Sequence, residues 1–166
     1  MSGLPRRVLA LGAHPDDIEL LCAGTLARYL AAGTEVHLAI ACLGNRGGRD
    51  GPDAELARVR CKESQRAAET LGAPVTFLGI GDAEVRDTPE IRRSFLDLFR
   101  SIRPELVLTH GPTDYHDDHV QVGALAAKCA WYAASSGHRT EQPPLEHPPA
   151  LVYLDNLAGC LLKTNE

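Results

Sequence analysis

Two short clusters carry the residues best suited to chemistry. The first is His14-Pro15-Asp16-Asp17, directly after the apolar run Val8–Ala13. The second is His116-Asp117-Asp118-His119, about a hundred residues later. Each offers imidazole nitrogen and carboxylate oxygen within four positions. Mixed nitrogen and carboxylate donors without thiolate suit zinc in a catalytic site, where three protein ligands leave one position open. Iron, manganese or cobalt accept the same donors. A cluster with two acids can also bind a metal and keep one carboxylate free for proton transfer. Each cluster has a plainer reading as a helix start, with acids opposing the positive end of the helix dipole. That reading leaves His14 without a role, and it loses force if the two clusters meet.

Whether they meet depends on the elements that carry them. Val8–Ala13 reads as a strand covered on both faces. A helix follows from Asp17 to Ala32, stopped by Gly33. Val36–Leu43 is a second strand, and Gly44–Pro52 is a glycine-rich loop. Asp53 caps a helix running to Leu71, and Gly72 ends it. Val75–Leu78 is a third strand. Thr88 and Pro89 start a helix that runs to about Ile102. Leu106–Thr109 is a fourth strand, and a fourth helix runs from near Asp118 to about Ser136. A proline-rich connector leads to a fifth strand, Leu151–Leu154. The order βαβαβαβαβ predicts an α/β, Rossmann-like, mostly parallel sheet with helices on both faces. In such sheets ligands bind beyond the carboxyl ends of the strands. Both clusters fall there, after strands one and four, so the topology predicts that they share one crevice.

Several other residues border that crevice. The loop Gly44–Arg49 follows strand two and offers amides and the guanidinium of Arg46 to a substrate. It lacks a following Lys-Ser or Lys-Thr, so it is no phosphate-binding P-loop, and nothing near Gly12 forms a dinucleotide fingerprint. In the second helix Leu56, Val59, Ala67 and Leu71 trace an apolar stripe on which Glu63 also falls. A buried carboxylate needs a partner, and Arg60 is the candidate, either as a structural ion pair or with one of the two reaching the pocket. His110, at the end of strand four, is placed to support a ligand from behind. Val122, Gly123, Ala126 and Ala130 form a small-residue face below His119 that lets helix four approach the sheet closely.

The chain has 166 residues, enough for one domain with a sizeable core. Its net charge of −5 argues against nucleic acid as a partner and favours a small neutral or weakly charged substrate. Five cysteines, none in a C-x-x-C spacing, read as free thiols in a reducing compartment. The apolar run after Arg6-Arg7 is too short for a signal core or a membrane span. The expectation is a cytoplasmic protein without a membrane partner. The oligomeric state is open, homo-oligomer included.

Ala13-His14-Pro15-Asp16-Asp17, followed by Gly24-Thr25-Leu26-Ala27, resembles the LmbE/PIG-L family of metal-dependent de-N-acetylases. Asp114-Tyr115-His116-Asp117-Asp118-His119 is similar to that family's second signature, Asp-x-His-x-Asp-His. Arg60-x-x-Glu63 with Leu71-Gly72 matches as well, and the resemblance runs from about Val8 to Leu154. It implies that His14, Asp17 and His119 ligate zinc and that Asp16 is the general base for the attacking water. His116 would be the general acid and help hold the oxyanion, oriented by Asp118. The implied substrate is an N-acetylglucosamine conjugate. A metal-dependent amidase acting on a non-sugar amide, and a non-catalytic sugar-binding relative, are the alternatives. Family members usually continue past the strand matching Leu151–Leu154, so the expectation is a single domain over 1–166 that is either shortened at its C-terminus or part of a longer chain.

Overall fold

Five strands and four helices alternate along the chain in a computed structural model that describes residues 3–49 and 52–156. The strands are β1 (Arg7–Gly12), β2 (Glu35–Cys42), β3 (Val75–Ile80), β4 (Leu106–His110) and β5 (Ala150–Leu154). The helices are α1 (Asp17–Ala31), α2 (Ala54–Leu71), α3 (Pro89–Ile102) and α4 (Asp117–Ala133). The strands form one sheet in the order β3-β2-β1-β4-β5, and every pairing is parallel. The chain winds outward from β1 through β2 to β3, then crosses back to β4. The reversal falls between β1 and β4, which places a crevice at their carboxyl ends.

Local chemistry explains most of the boundaries. Asp53 caps α2 by accepting the N–H groups of Glu55 and Leu56, and Thr88 caps α3 by accepting that of Ile91, with Pro89 at the first helical position. Gly72 closes α2 in the left-handed conformation, at φ 82°. β1 splits its side chains between two cores. Leu9 and Leu11 join a cluster built from α3 and α4, while Val8 and Ala10 join one built with α1. All four residues are fully buried, as expected of a strand covered on both faces.

Three details differ from the sequence reading. β3 runs on to Ile80, through Gly79 at φ 74°. The apolar stripe assigned to α2 is not its buried face: Ser64 and Ala68 are buried, Val59 is 43% exposed and Glu63 lies in solvent. Burial follows the small residues because they let α2 sit against its neighbours. α4 stops at Ala133 because Arg100, buried inside α3, donates to the carbonyls of Tyr132, Ala133 and Ser135. The same guanidinium reaches Thr140 and the Gln142 carbonyl in the connector. Cys22, Cys42, Cys61 and Cys129 are all unpaired; Cys160 lies outside the described residues.

Candidate metal centre and active site

β1 ends at Gly12 and delivers His14 and Asp17; β4 ends at His110 and leads through Asp114 into α4. The two clusters meet at the switch point. His14 Nδ1 lies 3.3 Å from His119 Nε2. His119 Nε2 lies 3.3 Å from Asp17 Oδ1, and His14 Nδ1 lies 3.8 Å from Asp17 Oδ2. Donors bound tetrahedrally at about 2.0–2.1 Å stand about 3.3 Å apart. Two of these separations match that spacing and the third is wider, so the three residues named from the sequence stand close enough together to hold a zinc-type ion.

The groups behind these donors support the same reading. His14 Nε2 lies 3.0 Å from Asp118 Oδ2, which places a proton on Nε2 and leaves Nδ1 bare. His119 Nδ1 has Asp114 Oδ2 behind it at 3.2 Å, off the line of a hydrogen bond but close enough for an ion pair. That favours a bare Nε2. Two bare ring nitrogens 3.3 Å apart repel each other unless a cation lies between them. Burial lowers the pKa of His119, but Asp17 and Asp114 outweigh it and raise it above the ordinary value, so the site favours positive charge at this ring. Burial likewise opposes the charge of Asp17, yet hydrogen bonds with His110 and His119 hold its carboxyl far below the usual range. Asp17 Oδ2 also accepts the main-chain N–H of His14 at 2.7 Å. The donor set thus fits a divalent ion, and carboxylates backing histidine ligands are a common support for one.

His110 does support the cluster. Its Nε2 is 3.1 Å from Asp17 Oδ2 and its ring stacks on His119, centroids 4.0 Å apart. His116 stacks on the other face of His119 at 4.8 Å. His116 is also the N-cap of α4, its Nδ1 accepting the N–H of Asp118. The acids at this helix start are therefore not the caps. Asp118 meets His116 only through its main chain; its carboxylate takes His14 and the N–H of Ala83 instead. Burial, then the neighbouring His14 and His119, lower the pKa of His116.

Asp16 stands outside the triad. It precedes α1 at φ 109°, a left-handed conformation unusual for a residue with a side chain, and its carboxylate makes no cap bond. Arg60 of α2 holds it, Nη2 to Oδ2 at 2.7 Å, and also donates to the carbonyl of Pro15. Gly44 makes room for this arrangement: at φ 71°, a Cβ there would press on Pro15 Cγ at 3.0 Å and Arg60 Cβ at 3.3 Å. Arg46 is turned to Glu84 at 2.9 Å. Its main-chain N–H and that of Gly44 donate to Asp82, both at 2.8 Å. Asp82, Asp114 and the β3–α3 loop contribute in ways the sequence reading did not assign. Asp82's place just past the carboxyl end of β3 was the available signal.

Residues 9–130 match the family described as PIG-L, GlcNAc-PI de-N-acetylase. Among curated proteins, the chain is 32% identical over 134 residues to the diacetylchitobiose deacetylase of Thermococcus kodakarensis, covering 77% of this chain and 50% of that one. It is 29% identical to a 1D-myo-inositol 2-acetamido-2-deoxy-alpha-D-glucopyranoside deacetylase of Catenulispora acidiphila, covering 90% and 60%. A 4-oxalmesaconate hydratase of Pseudomonas putida is also 29% identical, with 89% and 60% covered. Of solved structures, the 4-carboxy-2-hydroxymuconate hydratase of that organism superposes with a TM-score of 0.78 at 28% identity, over 87% of this chain and 64% of that one. The N,N'-diacetylchitobiose deacetylase of Pyrococcus horikoshii gives 0.83 at 22% identity, over 92% and 61%, a likeness of fold. The chain spans between half and 60% of the length of these curated relatives.

Proposed function

The chain belongs to the GlcNAc-PI de-N-acetylase family, and from that premise we propose that it is a metal-dependent hydrolase removing the N-acetyl group from an N-acetylglucosamine-containing small molecule. The observation that carries this reading is the convergence of His14, Asp17 and His119 beside an acid, Asp16, that is not among the three. Zinc is the ion proposed, with iron, manganese or cobalt fitting the same donors. Held by His14, Asp17 and His119, such an ion would polarise the amide carbonyl and lower the pKa of water bound to it to about 7.

The chain's own groups supply the remaining steps. Asp16 takes the proton of the attacking water. Arg60 binds one of its oxygens and leaves the other to act, so Arg60 is a positioning residue rather than a substrate contact. His116 accepts at Nδ1 from α4, so its proton rides on Nε2, where it hydrogen-bonds the oxyanion. That Nε2 proton passes to the departing nitrogen as the C–N bond breaks, and the proton Asp16 took from the water returns to His116 and restores both groups. Acetate and a primary amine leave. Asp118 and Asp114 orient His14 and His119. Arg46, paired with Glu84, would meet substrate only by leaving that partner. No described helix is long and apolar enough to cross a membrane, and the unpaired cysteines fit a cytoplasmic location.

A second reading, hydration of an unsaturated acid, is favoured by the similarity to a hydratase. The same acid–base pair would then add water to a carbon–carbon double bond. A panel of N-acetylated sugars, simple acetamides and unsaturated di- and tricarboxylic acids, assayed with and without chelator, separates the two. Amine release from the sugars, abolished by chelator, supports the proposal. Loss of absorbance from the unsaturated acids without amine release overturns it. Asp16→Asn should keep the metal and lose about 10²–10⁴-fold in turnover, whereas His14→Ala should lose the metal.

A further inference from the structure

Cys42 belongs to none of the chemistry above, yet it lies beside it. It is the last residue of β2, 2% exposed, and its main-chain N–H donates to the carbonyl of Ala13 at 2.7 Å. One donor atom each from His14, Cys42 and Asp82 lies within 4.8 Å of the others. Asp82 is 7% exposed and is fixed by the N–H groups of Gly44 and Arg46. Beside them, Asp118 is fully buried, with Oδ2 on His14 and Oδ1 without any hydrogen-bond partner among the described residues. A buried carboxylate oxygen left unpaired is costly, and a cation near it would relieve that cost.

We propose that His14, Cys42 and Asp82, with Asp118 beside them, form a second cation site, one that contains a thiolate and competes with the hydrolytic site for His14. Its ligand class is a soft or borderline divalent ion such as zinc or cadmium, because thiolate selects such ions over magnesium, calcium or manganese. Binding forms a metal–sulfur bond and releases the Cys42 thiol proton to solvent, with no change of oxidation state. His14 carries the coupling: its one ring lies within reach of both donor sets, so an ion that takes it at Cys42 and Asp82 leaves the hydrolytic set with two ligands. An excess of zinc therefore inhibits. The competition rests on the hydrolytic reading given above; the thiolate site does not.

Titration of the metal-free chain with cobalt and with cadmium tests this directly. The hydrolytic donors hold no sulfur, so the first equivalent should bind without a thiolate-to-metal charge-transfer band in the near ultraviolet. The second should bring that band up. Cys42→Ser should abolish the band, weaken the second equivalent at least ten-fold and leave the first unchanged, which also reports that the variant is folded. Inhibition by excess zinc should need at least ten-fold more metal in Cys42→Ser. Two equivalents bound with no band overturn the proposal, as does a band that survives in Cys42→Ser. A band that appears with the first equivalent, together with no amine release from any substrate, supports the thiolate site and overturns the hydrolytic reading instead.

Discussion

Gly123→Ala is expected to damage the metal centre without touching a ligand. Gly123 lies in α4 one turn after His119, on the same face of the helix. A Cβ there would overlap the carbonyl oxygen of His110 and stand 3.1 Å from its carbon and 3.5 Å from the Gly111 oxygen. Carbon–oxygen contacts are ordinarily about 3.3–3.6 Å, so α4 must retreat from the end of β4 by an appreciable fraction of an ångström or more. The obstacle is backbone, which cannot rotate out of the way. Overpacking of this kind costs about 1–3 kcal/mol, against which alanine gains about 0.8–1.0 kcal/mol over glycine in a helix. The net expectation is a loss of about 1 kcal/mol, or about 3 °C in Tm for a chain of this size. The retreat carries His119 and Asp118 with it, and metal affinity should fall at least ten-fold, as when supporting groups of a metal site are disturbed. Gly24→Ala is the matched control, since a Cβ in that α1 position meets nothing within 4 Å. It should raise Tm, leaving affinity unchanged. Thermal denaturation and competition with a chromophoric chelator measure both quantities. If Gly123→Ala stabilises the chain as Gly24→Ala does and keeps its metal affinity, the close approach of α4 to β4 is not what positions the site.

Three further outcomes follow from the contacts described. Asp118→Ala leaves His14 without its carboxylate and should weaken metal binding by about 10–100-fold, read by the same chelator competition. Arg60→Met should lower kcat about ten-fold or more, as expected when a catalytic group is misplaced, with little change in KM; Arg60→Lys should recover part of it. A rise in KM alone would return Arg60 to a substrate-binding role. Arg100→Met strips the end of α4 of a buried donor to three carbonyls and should cost about 3 kcal/mol, seen as a Tm lower by about 9 °C with the folded protein's metal affinity kept.

The convergence of the site was legible in the sequence because it depends on topology. Once β1 and β4 are neighbours in a parallel sheet, His14 and His119 must arrive at the same edge, whatever the intervening chain does. The pairing of supporting groups was not legible, because it turns on side-chain direction rather than position. Asp118 sits two residues from His116 and was assigned to orient it. At the first turn of α4, however, His116 lies outside the helix as its cap while Asp118 points back under the sheet edge toward His14. Proximity in sequence and proximity of carboxylate to imidazole part company at a helix start. Arg60 shows the same limit differently. Its place beside Glu63 suggests either a buried ion pair or a group that reaches the pocket; the pair forms, Nη1 to Oε2 at 3.7 Å, but at the surface, and Ser64 and Ala68 make the buried face. Arg60 therefore stands at the inner edge of α2, where its reach brings it to Asp16.

That last contact bears on why two adjacent aspartates take different parts. Asp17 is drawn inward, its oxygens engaged by the His14 main chain, His110 and His119, so its charge is held in the donor set. Asp16 is turned outward by its left-handed backbone, and its side chain is half exposed. A carboxylate so placed would be free to rotate away from the reacting water. The guanidinium on Oδ2 removes that freedom while leaving Oδ1 unengaged among the described residues. The proposed ligand and the proposed base are thus separated by one peptide bond because the backbone sends consecutive side chains to opposite sides of the β1–α1 turn, and α2 fixes the outer one in place.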